Sequence, residues 1–362
     1  PPGPATPLPC GAADGARHLA FGGDLLPMLG TSLVARDAVR SFSFNLAGGL
    51  AGGLQGVEIG SAFNIVTGSV CGLQLAGAVN VGWRETRGAQ LAGALNLTGA
   101  LRGAQLAGAI NLAGPVRGAQ IAGGLNLAVG LAGVQLAPVN LSIGDVSGAQ
   151  LGVIDLARDV SGAQLGVIDL AASVHGAQIG VINVAGRVRG AQIGVINVAD
   201  ESDFSLGVVS IVRHGRLHLD VWGAETGLLM AAVKHGGRSF HNFYGAGIRL
   251  AGGKPRLAFA LGLGGHVPLT RRLFVDVDVL AHSLHHSEDL GADVAILGQL
   301  RPVLGLHLSD GIAVLAGPSY NVIFARNAAD AEISALGSSV FHEEAGLVVR
   351  GWPGITVGVQ AF

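Results

Sequence analysis

The sequence predicts an all-β protein, in which a two-sided parallel β-solenoid of 14- to 16-residue repeats is followed by an antiparallel β-meander or β-barrel. Two observations lead to this prediction. A glutamine recurs at nearly constant intervals between residues 74 and 192, and strict apolar-polar alternation follows residue 203. Glycine accounts for 60 of the 362 residues, and charged residues make up only 13%, against about 25% in average soluble domains. Small apolar residues at fixed offsets indicate a repeat fold rather than a disordered segment.

Each repeat contains a glutamine that is followed five or six residues later by an asparagine or an aspartate. Successive glutamines are 16, 15 or 14 residues apart. The glutamine column comprises Gln74, Gln90, Gln105, Gln120, Gln135, Gln150, Gln164, Gln178 and Gln192. The asparagine column comprises Asn80, Asn96, Asn111, Asn126, Asn140, Asp155, Asp169, Asn183 and Asn197.

The change in the glutamine-to-asparagine offset favours two short strands per repeat over one continuous strand. A one-residue change within a continuous strand would reverse the facing of every later side chain. If the extra residue lies at a glycine corner, such as Gly93 in a long copy or Gly166 in a short one, all copies keep the same facing. We therefore predict that Leu165 and Leu170 point inward. The glutamine and asparagine columns should point outward, form amide ladders and provide the repeat surface.

The repeats and the later alternation divide the chain into three parts. Residues 1–40 are expected to be a leader or linker that is partly disordered, and residues 41–200 the solenoid with an N-terminal cap. Residues 201–362 should form an antiparallel β domain, barrel-like and a candidate membrane anchor. In this last part, Val275 and Val277 alternate with Phe274, Asp276 and Asp278.

Composition and charge exclude several classes of protein. The net charge is -2 and no cluster of Lys and Arg is present, so nucleic acid is not an expected partner. Polar residues interrupt every apolar stretch, so no transmembrane helix is expected. The two cysteines, Cys10 and Cys71, are too few for a disulfide framework.

The densest group of ionisable residues lies in the segment AHSLHHSEDLGAD. Its candidate metal ligands are His282, His285, His286 and Asp289, because imidazoles and carboxylates at such spacing bind Zn²⁺. The segment is also typical of a polar hairpin loop between two strands, which is the interpretation we favour.

The remaining candidates for catalysis lack a recognisable arrangement. Asp276 and Asp278 share a strand face, as a pair of acid/base carboxylates would, but this is also the pattern of sheet-surface or barrel-lumen residues. The chain has no G-x-S-x-G nucleophile elbow, and its glycine-rich stretches lack the Lys-Ser/Thr of a phosphate loop. We therefore expect no enzyme activity and no cofactor.

Several segments resemble a known family. They are the iterated G-A-Q-[LI]-x-G-x-[ILV]-[ND]-[LV] copies, the lead-in FSFNLAGG (42–49), RSFHNFYGAGI (238–248) and LAGPSYNVIF (315–324). Together they resemble the leptospiral-type surface repeat-containing proteins over roughly residues 41 to 362. The resemblance implies a place at the cell surface or outer membrane and no assigned activity.

The sequence thus predicts a non-enzymatic cell-surface or outer-membrane repeat protein of a Gram-negative-type bacterium. Its role would be structural, adhesive or ligand-presenting, and its partner the outer membrane or another surface protein. The alternative is an outer-membrane β-barrel channel in which the repeats are spanning strands. The array between residues 84 and 203 has no aromatic residue, whereas spanning strands usually carry aromatic girdles.

Overall fold

A computed structural model describes residues 16–251, 255–286, 294–344 and 346–361. The chain divides into two compact units between Gly186 and Arg187. The position near residue 200, where the sequence analysis placed a boundary, lies within one long strand, Ile182–Val212. Within the described residues, no helix is long and apolar enough to cross a membrane.

The first unit is built almost entirely from strands, with one short helix, α1 (Thr31–Ala35). Its strands are β1 (His18–Leu26), β2 (Leu29–Gly30), β3 (Val39–Asn45), β4 (Gly48–Ala51), β5 (Gly53–Gly60), β6 (Phe63–Val66), β7 (Val70–Ala76), β8 (Val79–Ala92), β9 (Leu95–Ala107), β10 (Ile110–Ala122), β11 (Leu125–Leu136), β12 (Val139–Ser142), β13 (Val146–Leu151), β14 (Ile154–Leu165) and β15 (Ile168–Ile179). The next strand, β16 (Ile182–Val212), begins in this unit and continues in the second.

The repeats form a parallel β-solenoid of about 10 turns, as predicted. Equivalent positions of successive repeats pair directly, so that Gln105 lies between Gln90 and Gln120. Bends at Gly93-Ala94 and at Gly166-Val167 fall where the sequence placed the corners. Repeats of different length can stack because the extra residue is absorbed at a corner.

The predicted facing is wrong for the glutamine and asparagine columns and for the leucines beside them, although Leu101 and Val174 are buried, as that prediction requires. Gln164 and Asp169 are fully buried, whereas Leu165 is 39% exposed. The same inversion applies to every glutamine and asparagine-column position from Gln74 to Asn197, all of which are 0% exposed. A buried amide is tolerated only when its donor and acceptor are both satisfied, and an identical amide one coil above and below satisfies them.

A glycine two residues before each glutamine has a backbone that other residues rarely adopt. Gly118 has φ 138°, and a Cβ there would lie 2.0 Å from the carbonyl oxygen of Gly103. Gly130, in the same turn of the solenoid, has no positive φ, and its nearest contact for a Cβ is 3.7 Å away. The sequence G-A-Q is therefore a backbone requirement of close stacking.

We expect Gly118→Ala to destabilise the central coils by roughly 3 kcal/mol, because the methyl group adds a clash to a strained φ. Hydrogen-exchange mass spectrometry of peptides from β9 to β11 would measure the loss of protection. Gly130→Ala is the matched control and should leave protection unchanged. Equal effects of the two substitutions would contradict this account.

The folded chain begins before the predicted solenoid start at residue 41. Strand β1 pairs in parallel with β3, and the rings of Phe21 and Phe42 stack with centroids 5.7 Å apart. The Arg40 guanidinium donates to the Asp24 carboxylate at 3.0 Å, and both side chains are fully buried. This buried ion pair and the stacked rings form an N-terminal cap, so residues from His18 onward belong to the solenoid rather than to a linker.

The second unit contains an antiparallel sheet and one short helix, α2 (Ala328–Ala331). Its strands are β17 (Arg216–Ala224), β18 (Leu228–Gly236), β19 (Phe240–Arg249), β20 (Arg256–Pro268), β21 (Leu273–His286), β22 (Ala295–Ser309), β23 (Ile312–Ala325), β24 (Ser339–Glu344) and β25 (Leu347–Ala361). They form a nine-stranded sheet in which each strand pairs with its sequence neighbour, except that β25 lies between β23 and β24.

This sheet closes on itself, because β17 also pairs with β25 in antiparallel register. Asp220 of β17 lies opposite Gln360 of β25. Leaving β24 aside, the other eight strands of the nine form a small closed barrel. An eight-stranded barrel is just wide enough to be filled by side chains.

Candidate functional site

The glutamine column forms a continuous buried ladder in which every amide donates toward the N-terminal end of the solenoid. Gln105 Nε2 donates to Gln90 Oε1 at 2.8 Å, and Gln120 Nε2 donates to Gln105 Oε1 at 2.9 Å. The same bond recurs at 2.8 or 2.9 Å from Gln178 down to Gln74. Each Nε2 uses one hydrogen here, and from Gln90 to Gln178 the second points at a backbone carbonyl of its own turn, as for Gln120 and Leu127 at 3.3 Å.

The asparagine column forms a second ladder that donates in the opposite direction. Asn96 Nδ2 donates to Asn111 Oδ1 and Asn111 Nδ2 to Asn126 Oδ1, both at 3.0 Å. The chain of bonds starts at Asn45 and runs to Asn140. Because the two ladders run antiparallel, their amide dipoles oppose each other within one core.

Each ladder ends on a carboxylate that only accepts hydrogen bonds. Gln74 donates to Glu58 at 2.9 Å at the N-terminal end of the glutamine ladder. Asn140 donates to Asp155 at 2.8 Å at the C-terminal end of the asparagine ladder. Burial raises the pKa of Glu58 despite the hydrogen bonds that it accepts. Burial also raises the pKa of Asp155 to about 6.

The solenoid surface is apolar where the sequence analysis expected amides. Two sets of residues form outer apolar columns: those that directly follow the glutamines, and the valines that follow the corner glycines. Their side chains are between 39% and 50% exposed. They are Leu106, Ile121, Leu136, Leu165, Ile179, Val153, Val167 and Val181. Large exposed apolar surfaces mark contact sites, so the columns, rather than the amides, are the part of the repeats that can meet a partner.

Several other charges of the first unit form partly or fully exposed ion pairs on the repeats. Glu85 pairs with Arg87 at 2.8 Å and with Arg102 at 2.7 Å, and Arg158 pairs with Asp145 at 2.7 Å. Exposed pairs of this kind add little stability. Opposite charges in small groups keep these faces solvated without producing a basic or acidic patch.

The barrel interior holds a charged network around Lys234. Its ammonium group bonds the Asp276 carboxylate and lies 3.6 Å from Asp220. Asp276 also bonds His266 Nδ1 at 2.6 Å, and Gln360 Nε2 donates to Asp220 at 2.8 Å. Lys234, Asp220 and Asp276 are at most 1% exposed. The network connects β17, β18, β20, β21 and β25 across the barrel.

A second charged group lies beside the first. Arg301 Nε donates to Asp278 Oδ2 at 3.0 Å, and His241 Nε2 lies 2.8 Å from Asp278 Oδ1. The guanidinium carbon of Arg301 lies 4.2 Å from the centroid of a Trp222 ring, a cation–π distance. We call the two groups together the barrel-interior cluster: Asp220, Lys234, His241, His266, Asp276, Asp278 and Arg301. Its opposite charges face one another, so the cluster links neighbouring strands through ion pairs and hydrogen bonds.

Large apolar side chains are exposed on the outside of the barrel on its closing strands other than β19. Leu219, Leu261, Val277 and Val357 project from four of its strands and are between 45% and 63% exposed. Along β21, buried Asp276 and Asp278 alternate with the exposed or half-buried valines at 275, 277 and 279. The barrel interior thus combines the barrel-interior cluster with buried apolar side chains such as Trp222, Phe243 and Leu280, and many of its outward-facing side chains are apolar.

The structure separates the predicted metal ligands. The segment from His282 to His286 belongs to strand β21, so the favoured interpretation as a loop is wrong for these residues. His282 is buried and its Nδ1 lies 3.3 Å from the Leu297 carbonyl oxygen, while His285 contacts Ser283 and His286 contacts Asp330. Asp289 lies outside the described residues. In the part of the chain that the structure describes, no three His, Cys, Asp or Glu residues form a metal-binding group.

The last members of the two columns lie at the start of the second unit. Gln192 and Asn197 are fully buried, and Asn197 Nδ2 donates to the Leu206 carbonyl at 2.8 Å. Asn183, in the first unit, is buried in the same way. The residues missed by the sequence analysis are Lys234 and Arg301. The sequence feature that could have identified them is a charged residue at an inward-facing position of a strand with apolar-polar alternation.

The fold and the two interiors define an all-β protein with a solenoid of in-register repeats and a small closed barrel whose interior contains a charged cluster beside an apolar core. Comparisons with models of protein families, with curated proteins and with solved structures find no match for this chain.

Proposed function

We propose that this is a non-enzymatic outer-membrane or cell-surface protein of a Gram-negative-type bacterium, in which the barrel is the lipid-embedded anchor and the solenoid is a structural or adhesive module. One observation carries the proposal. The closed barrel buries its charges and presents apolar side chains such as Leu261 and Val357 outward, which is stable where the surrounding solvent is hydrocarbon.

The dimensions of the barrel support the same function. Its eight closing strands are 9 to 15 residues long, and a tilted strand crosses a bilayer with about 9 to 11 residues. Closure through β17 and β25 pairs the edges that an open sheet would expose. Hydrocarbon offers no hydrogen bonds to a free edge, so closure is what a lipid environment requires.

The alternative, a channel whose spanning strands are the repeats, finds less support. Neighbouring repeats pair in parallel, whereas outer-membrane barrels are antiparallel. The solenoid interior is filled by the two amide ladders together with buried valine and leucine side chains. The barrel interior is filled by Lys234, Arg301 and their partners together with an apolar core. Neither arrangement favours conduction.

The role proposed for the solenoid rests on its outer apolar columns. The repeats bury their amides and expose Leu, Ile and Val in register, so a partner would be recognised by apolar contact rather than by amide hydrogen bonds. This feature agrees with a place at the cell surface.

The anchoring function predicts that Leu261→Arg prevents stable membrane insertion. Leu261 is 63% exposed on β20, and an arginine on the lipid face costs roughly 2–4 kcal/mol near the bilayer midplane. With the full chain produced in a Gram-negative host, the wild type should remain in the outer-membrane fraction after urea extraction, and the variant should be extracted.

Leu261→Phe is the matched control and should stay in the membrane fraction. Recovery of the wild type as a soluble protein without detergent would refute the anchor. Ion conductance of the purified full chain in planar bilayers, lost when the repeats are deleted, would favour the channel instead.

A further inference from the structure

The asparagine ladder changes its chemistry at two adjacent coils. From Asn45 to Asn140 each side chain is an amide that accepts from one neighbour and donates to the next. The next two members of the column are Asp155 and Asp169, which pair directly in register. A carboxylate has no hydrogen to donate. The relay of hydrogen bonds therefore stops at Asp155 whenever both aspartates are ionised.

The two carboxylates lack most of the donors that they would need as anions, although the backbone N–H groups of Gly152 and Gly166 lie close enough to lower the pKa values of Asp155 and Asp169, respectively. Asp155 Oδ1 accepts from Asn140, but Asp155 Oδ2 and both oxygens of Asp169 lie buried with no donor in hydrogen-bond geometry. Neither residue is exposed. An unsatisfied buried charge is among the most costly groups in a protein. Burial therefore favours the protonated, neutral form of the two carboxyl groups.

The glycine corner brings the two carboxyl groups together. A Cβ on Gly166 would lie 2.6 Å from Asp169 Oδ1 and 3.1 Å from Asp155 Oδ2. Both oxygens therefore lie against the same glycine, which leaves just enough room for them. A proton on Asp155 would allow an O–H to O bond between the two groups, in the same direction as every other bond of the ladder.

No basic group is available to neutralise the pair. Asn140 faces it from β12, and Gln150 and Gln164 on β13 and β14 donate to the carbonyls of Leu156 and Leu170. The charged residues of the same coils, Arg158, Asp159 and His175, are exposed or partly exposed to solvent. Among the described side chains, the only titratable group that faces each aspartate is therefore the other aspartate.

We propose that Asp155 and Asp169 form a proton-operated joint in the asparagine ladder. When protonated, the pair carries the hydrogen-bond chain beyond Asn140 to the following coil. When ionised, it interrupts the chain and loosens the corners at Gly152 and Gly166. The solenoid then contains a local, reversible pH-sensitive point between coils that are otherwise held by amides.

The direction of the pH effect follows from the environment of the two groups. Burial raises the pKa of Asp155 to about 6, and burial together with the Asp155 carboxylate raises the pKa of Asp169 to about 7. An unfolded aspartate titrates near 3.9. The folded coils bind protons more tightly, so the stabilisation is complete below the unfolded pKa near 3.9, decreases above it and is fully lost once the pH has risen through 6 to 7. Because the carboxyl groups touch, they titrate as a pair.

Hydrogen exchange of the full chain in detergent at pH 5 and pH 8 tests the joint. After correction for the intrinsic pH dependence of exchange, peptides from β14 and β15 should lose up to roughly 1,000-fold in protection at pH 8, since each pH unit between pH 5 and the folded pKa of a group multiplies the equilibrium tenfold, one unit for Asp155 and two for Asp169. The double variant Asp155→Asn, Asp169→Asn restores an unbroken amide ladder and should stay protected at both values. Asp145→Asn, an exposed acid one coil away, should behave as the wild type.

Infrared spectroscopy gives a second readout, which reports protonation of the carboxyl groups directly and does not depend on local unfolding of the coils. The wild type should show the carbonyl band of a protonated carboxyl group at pH 5 that disappears by pH 8, and the double variant should lack that band. Equal protection of the wild type at both pH values, or an equal loss in the double variant, would overturn the proposal. So would a carboxyl band that titrates near pH 4.

Discussion

Replacing Gln120 by leucine should unfold the centre of the solenoid, although the substitution makes the core more apolar. Gln120 accepts from Gln135 at 2.8 Å and donates to Gln105 at 2.9 Å. Leucine would leave a buried donor and a buried acceptor without partners, each costing about 1–3 kcal/mol. We expect a total loss of roughly 4 kcal/mol, measured as lost hydrogen-exchange protection in β9 to β11.

The reciprocal substitution, Ile121→Gln, is the control that distinguishes the two possible facings of the repeat. Ile121 is 41% exposed, so a glutamine there can remain solvated and should cost less than about 1 kcal/mol. If glutamines faced outward and isoleucines inward, the ranking of the two variants would be reversed. A tolerated Gln120→Leu together with a damaging Ile121→Gln would therefore refute the buried ladders.

Replacing Lys234 by methionine should have an effect of similar size on the barrel. Methionine matches the length of the lysine stem, but it leaves the buried carboxylates of Asp220 and Asp276 without their shared cation. Removing one partner of a buried ion pair typically costs 3–5 kcal/mol. The folded barrel should migrate faster on gels than the heat-unfolded protein. We expect the variant to lose this faster migration at a lower urea concentration than the wild type.

Two further variants separate loss of charge from loss of packing. Val233→Ala changes the next residue on the same strand, which is 44% exposed on the outer face, and should shift the midpoint little. The double variant Lys234→Met, Asp276→Asn removes one of the two carboxylates left without a cation and should recover part of the stability lost in Lys234→Met. No recovery would mean that the lysine acts through packing alone.

Glutamine and asparagine columns can stabilise a core only in a repeat protein. A single coil with this sequence would bury donors and acceptors that nothing satisfies, so a coil cannot fold alone. Each added coil satisfies the amides of the one before it, which makes stability cooperative along the stack. The carboxylates Glu58 and Asp155 accept the last bond of each ladder and so define where the amide relays end.

Much of the architecture was predictable because it depends on spacing. The 14- to 16-residue period and the one-residue change at Gly93 and Gly166 require parallel stacking with glycine corners, and both are present. Alternation along β21 likewise predicted an antiparallel strand with two different faces. The ion pair of Asp24 with Arg40 was not predicted, since the two residues are brought together by a cap that has no repeat pattern.

The sequence by itself determined the period of the solenoid, the position of its corners and the change to antiparallel strands, because these depend on chain length and on where glycine is needed. Only the tertiary structure decided which faces are buried. Hydropathy describes each residue alone, whereas the burial of Gln120 depends on Gln105 and Gln135 in neighbouring coils. In the barrel, closure of β17 onto β25 decides that Asp220 lies inside, and no local pattern specifies that closure.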